Sequence, residues 1–136
     1  MIEVRKPHPT PEALRIRTKA FAFDVLRLIP DLPPRMEARI ISRQLARSSM
    51  SVAANYRASC RSRSRAEFIA KIGIVLEEAD ESLFWLEALS ELGISRDDRL
   101  GPLIGECNEL VAIFFVSQRT ARRRAPNHQS SIINHQ

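Results

Sequence analysis

Glycine is scarce in this chain. Only four are present among 136 residues, so few positions suit the tight turns of a sheet, and no glycine-rich loop is there to cradle a phosphate. Nothing alternates with the two-residue period of a strand over a useful length. The two cysteines, Cys60 and Cys107, lie far apart and form no C-x-x-C pair, so both read as reduced, small apolar side chains. The three histidines, His8, His128 and His135, fall near the ends. With no imidazole in the expected folded region, the serines of residues 47–51 lack a general base, and neither cysteine has a partner for nucleophilic work. A di-iron bundle needs two Glu-x-x-His motifs, and Glu78 and Glu81 have no helical histidine beside them, so no metal or cofactor is expected. No run reads as the roughly 18–20 apolar residues that span a bilayer. The first residues, MIEVRKPHPTP, lack the apolar core of a signal peptide. The default expectation is a cytoplasmic protein without a membrane partner and without enzymatic activity.

What is present is helical periodicity. Apolar residues recur at three- and four-residue steps, and eight prolines sit mostly at the edges of these segments. The pattern predicts an all-α protein, an antiparallel up-down-up-down four-helix bundle, with helices over residues 10–30, 35–61, 64–92 and 96–124. Short tails, 1–9 and 125–136, flank it. The first helix starts at Thr10 with Pro11 in its first turn and has the core stripe Leu14, Thr18, Phe21, Val25, Leu28 and Ile29. The second carries an unusually small, polar inward stripe: Ile41, Leu45, Ser48, Val52, Asn55, Tyr56 and Ser59. Small residues there let a partner helix approach closely. Ser64 with Glu67 is a capping-box signature for the third helix, whose core stripe is Phe68, Ile72, Val75, Leu76, Ala79, Leu83 and Leu86, and Gly93 closes it. The fourth has the core stripe Leu100, Leu103, Cys107, Leu110, Val111, Phe114 and Gln118, and Gly101-Pro102 should kink it or delay its start.

Charge is divided along the chain. Residues 1–66 hold 14 Lys/Arg against 5 Asp/Glu, whereas residues 67–118 hold 3 against 11. The isoelectric point is near 10.0, which suits a polyanionic partner and equally suits mere solvation. Arg35, Arg39, Arg43 and Arg47 recur every four residues on the second helix, and Arg57 and Arg61 return to the same face. Arg15 and Lys19 add to it from the first helix. Arginine forks suit phosphate, but surface arginines also pair with carboxylates for little energy; both readings stand. No base-reading motif accompanies them, so any nucleic-acid contact would be to the backbone. The acidic cluster Glu77, Glu78, Asp80 and Glu81 reads as the electrostatic counterpart of these arginines, with a paired-carboxylate acid–base site as the alternative.

Two further expectations concern packing. Asn55 and Tyr56 face inward and should be satisfied by Glu78 and Glu81 or by Arg57, as a buried polar network. Ala70, Ile74, Trp85, Ala88 and Leu92 form a second apolar strip opposite the core stripe of the third helix. A bundle helix needs one such face, so the strip reads as an interface between copies of the chain.

The run from Gln44 to Leu86, QLARSSMSVAANYRASCRSRSRAEFIAKIGIVLEEADESLFWL, resembles a known family. Its most specific stretches are residues 51–57 (SVAANYR), 63–68 (RSRAEF) and 78–81 (EADE). Residues 14–28 and 109–122 also match, so the likeness covers nearly all of residues 12–124. The family is that of small bacterial four-helix-bundle proteins encoded by intervening sequences within 23S ribosomal RNA genes. This chain has Ser49 and Ala53 where the family commonly has glycine, and Ser59 after Ala58 where Glu-Ala is usual. The resemblance implies a bundle that assembles as a homo-oligomeric ring, typically a pentamer, with no known enzymatic activity. A related branch serves diversity-generating retroelements as a basic pentamer that binds nucleic acid and a reverse transcriptase. By that likeness the partners would be RNA or DNA, or a polymerase for which the ring is an adaptor.

Overall fold

The chain folds into α1 (Pro11–Leu28), α2 (Met36–Ser59), α3 (Arg65–Glu91) and α4 (Leu100–Arg123), with a 3₁₀ turn, Ile29–Asp31, after α1. The computed structural model describes residues 7–124. Residues 1–6 and 125–136, including most of the expected tails with His128 and His135, lie outside the described residues. Sequential helices pack side by side in an antiparallel four-helix bundle, and α1 meets α4 over a smaller contact.

Local chemistry sets the helix ends. Thr10 Oγ1 accepts the Ala13 N–H at 3.1 Å, and Pro11 fills the first turn of α1. Ser64 Oγ accepts the Glu67 N–H at 3.1 Å at the start of α3. Gly93 takes φ +64°, a left-handed conformation costly for any residue with a Cβ, and the N–H groups of Ile94 and Ser95 both turn back to the Leu89 carbonyl. The fourth helix begins at Leu100, later than residue 96. The Asp97 carboxylate accepts the Arg99 N–H at 2.9 Å, and the Asp97 N–H goes to Ser95 Oγ at 3.2 Å. Those side-chain bonds close a turn over 95–99 instead of a helical one. Pro102 then lies in the first turn of α4, where a missing N–H costs no helical bond.

The core draws on all four helices. Phe21, Val25 and Leu28 meet Leu45 and Val52, Ile72 and Leu86, and Leu110 and Phe114, all essentially without exposure. Each such side chain contributes about 1.5–3 kcal/mol of transfer free energy. The α2–α3 seam is different, because serines fill it. Ser82 Oγ donates to Ser48 Oγ at 2.8 Å, and Ser48 in turn reaches the Leu45 carbonyl at 3.3 Å. Both hydroxyls are buried and satisfied, so the helices come close without stranding a polar group. Across the bundle, Tyr56 packs on Phe114 with ring centroids 5.3 Å apart.

Phe114→Ala should therefore lower the unfolding free energy by about 3–5 kcal/mol in urea titrations. A loss under about 1 kcal/mol would show that α4 does not close the core as described.

Candidate nucleic-acid interface

The arginine row of α2 does not act as one surface. Arg47 turns toward α3, placing Nη1 3.1 Å from Glu78 Oε2 while Nη2 holds Glu81. That hydrogen bond holds the Glu81 carboxyl below its usual range. Trp85 Nε1 donates to the same carboxylate at 3.3 Å. Arg35, the residue before α2, pairs with Glu37 at 3.2 Å. Arg39 and Arg43 are exposed and have no carboxylate partner among the described residues.

Arg57 and Arg61 turn the other way, toward α1. With Arg15 and Lys19 they rim a groove of about 550 Å³ between α1 and α2. Its floor is apolar: Ile16, Ala22, Phe23, Met50, Ala53 and Ala54, and no carboxylate lines it. The structure thus brings together four of the eight cations expected to bind nucleic acid, leaves Arg39 and Arg43 exposed on α2, and assigns Arg35 and Arg47 to carboxylates.

Other acids are engaged within the fold. Arg17 of α1 holds Glu106 and Glu109 of α4. Arg99 reaches Asp31, Asp97 and the Arg27 carbonyl, clamping the start of α4 to the end of α1. The Arg99 guanidinium pushes the Asp97 carboxyl from the usual 3.8 down to about 2. Glu77 and Asp80 remain exposed. The acidic cluster therefore divides between pairing with Arg47 and facing solvent, and nothing gathers it around a cavity.

The expected polar network of Asn55, Tyr56, Arg57, Glu78 and Glu81 does not form as a unit. Asn55 Nδ2 donates to the Ser51 carbonyl at 3.0 Å and to Ser51 Oγ at 2.9 Å, on its own helix. Tyr56 is in the core, where burial raises its phenol above the ordinary range. Arg57 is exposed. The cause is register: the Ser48–Ser82 bond sets Glu78 and Glu81 level with Arg47, about two turns from Asn55. The expected interface strip is also uneven. Ala70, Ile74 and Leu92 are exposed, but Trp85 and Ala88 are half-buried against the bundle's own core. Phe84, missed in the sequence, is 61% exposed and meets Trp85 edge-on at 4.9 Å. Its position beside Trp85 in an otherwise amphipathic helix was the signal. The antiparallel register sets Leu92 level with Met36 and Ile40 of α2, which are exposed as well.

His8 lies closer to the bundle than its place in an expected tail suggested. Its Nε2 is 3.0 Å from Ser117 Oγ, and its Nδ1 is 3.0 Å from the Pro9 carbonyl. The flanking prolines, Pro7 and Pro9, hold this segment extended. Ser117 sits within α4, where backbone N–H groups are bonded along the helix and cannot form an oxyanion hole. Cys107 donates to the Ala79 carbonyl at 3.2 Å, and burial pushes its thiol up to about 12. Cys60 is a free thiol, exposed just past the end of α2. Among the described residues no group of three or more His, Cys, Asp or Glu is placed to hold a metal ion. The fourth helix is long and apolar enough, by length and composition, to cross a membrane, which the sequence reading did not anticipate. Its Leu103, Cys107, Leu110 and Phe114 face the bundle, and its Glu106 and Glu109 hold Arg17.

These features define a class: a small all-α bundle with several of its acids paired within the fold and a cationic groove on its α1–α2 side. The sequence profile described as 23S rRNA-intervening sequence protein matches residues 13–115, and the chain belongs to that family. Among solved structures it is similar to a protein of unknown function from the S23 ribosomal protein family of Bacteroides thetaiotaomicron VPI-5482. The two are 26% identical with a TM-score of 0.72, over 80% of this chain and 97% of the other. None of the curated proteins matches the chain.

The ion pairs predict acid sensitivity. Glu81 and Asp97 have depressed pKa values in the fold, so the contribution of each is complete above the unfolded carboxylate range and is lost as pH falls through its lowered folded value, about 2 for Asp97. Urea stability should decline between about pH 5 and about pH 2, and Asp97→Asn should decline less over that interval. Identical declines would show that the Asp97–Arg99 pair does not act on the fold.

Proposed function

We propose that this protein is a non-enzymatic, self-assembling bundle that binds the backbone of RNA or DNA with little sequence selectivity. One observation carries this: Arg15, Lys19, Arg57 and Arg61 converge on one groove that no carboxylate lines. Like charges on one surface repel. The chain has 11 acids within residues 67–118, several spent on Arg17, Arg47 and Arg99, and none placed in this groove. Cations kept together without internal counterions match an external polyanion, and Arg39 and Arg43 extend the same charge along α2.

Self-assembly is supported by the exposed Met36, Ile40 and Leu92 at one end of the α2–α3 side, with Phe84 exposed further along α3. A patch of this kind seats another protein surface. Copies of the chain fit it, with a ring of five as the family resemblance implies. A polymerase docked on the ring is the alternative occupant, in which case the charged faces serve mainly assembly.

Fluorescence anisotropy with RNA and DNA oligonucleotides of unrelated sequence should give similar affinities that fall steeply with salt. The pair Arg57→Glu and Arg61→Glu should weaken binding at least about tenfold and lower the salt slope by about 1–2. Arg47→Glu, which acts on an internal pair, should leave affinity close to wild type. No retention at low salt would overturn the proposal. Dissociation of the assembly by the Arg57/Arg61 pair, read by light scattering, would favour the adaptor alternative.

A further inference from the structure

We infer that the α1–α2 groove takes single-stranded nucleic acid, with a base seated on Phe23 and the flanking phosphates on the surrounding cations. This rests on the nucleic-acid reading above and adds the form of the ligand. Phosphate binding alone requires only the cations. The groove also offers an apolar floor: Ile16, Phe23 and Met50 are 64%, 43% and 45% exposed, respectively. A duplex keeps its base faces stacked and presents phosphates along its ridges, so such a floor would stay unused. A single strand brings unstacked base faces and phosphates together, which is the combination this groove displays.

The geometry agrees. Lys19 Nζ lies 5.6 Å from the centroid of the Phe23 ring, so a flat aromatic surface and a cation are adjacent. Arg57, in the last turn of α2, and Arg61, just past its end, stand on one wall, and Arg15 and Lys19 stand on the other, one turn or about 6 Å apart along α1. Between the larger Ile16, Phe23 and Met50, the small Ala53 and Ala54 leave space on the floor.

The test compares three fluorescent probes on the full chain: a dT single strand, a duplex of the same length, and a poly-glutamate peptide of equal charge. The single strand should bind tightest. Phe23→Ala should weaken it roughly tenfold, leave the duplex unchanged, and keep native helicity by circular dichroism. Phe23→Trp should restore or improve single-strand affinity, which a merely structural role for the ring would not produce. Equal binding of strand and duplex, with Phe23→Ala affecting neither, would overturn this inference while leaving backbone binding intact; loss of all nucleic-acid binding would instead remove the parent reading. Poly-glutamate binding as tightly as the strand would assign the groove to an acidic protein. Dissociation of the assembly by Phe23→Ala would assign it to a second copy of this chain. Either result would overturn the inference.

Discussion

The contact between α2 and α3 governs where the arginines of α2 can point. Ser48 and Ser82 meet at 2.8 Å, and beside them Arg47 spans Glu78 and Glu81. The serines permit close approach and the ion pair fixes the register. With that register set, two acids of α3 are taken up internally. The remaining solvent-facing arginines of α2 then look outward or toward α1.

Charge sorting follows from this. The basic first half and acidic second half of the chain do not meet as two opposed plates. Instead three arginines, Arg17, Arg47 and Arg99, tie α1 to α4 and α2 to α3. Each pair is partly exposed and contributes modestly to stability. Their larger consequence is spatial: they occupy the acids nearest the bundle's seams and leave Arg15, Lys19, Arg57 and Arg61 to face a groove with no counterion in its walls. Membership of the 23S rRNA-intervening sequence protein family agrees with the fold, and a fold by itself does not assign a function.

Much of the fold was legible in the sequence because helix periodicity and caps are local. Thr10, Ser64 and Gly93 act where their neighbours predict, and Leu45, Val52, Ile72 and Phe114 are buried as their spacing requires. Less was legible at the site, where the answer depends on which helix lies on which side. Arg43 and Arg47 are indistinguishable by spacing, yet only Arg47 reaches an α3 carboxylate among the described residues. Asn55 was expected to reach across the bundle and instead found Ser51 one turn back, because a local acceptor needs no particular register. Trp85 lies at an angle between core and surface, so its half-burial and its bond to Glu81 follow from the partner helix and not from α3 alone. The start of α4 slipped to Leu100 because Asp97 and Ser95 compete for backbone groups, a contest that periodicity does not register.

The central claim is that the arginines are of two kinds, those spent within the bundle and those held for a ligand. Side-chain NMR of arginine-labelled protein, titrated with a single-stranded oligonucleotide, separates them directly. The Nε–H resonances of Arg15, Arg57 and Arg61 should move with added strand, while those of Arg17, Arg47 and Arg99 stay in place. Movement of Arg47 and Arg17 with the groove arginines unmoved would contradict the account.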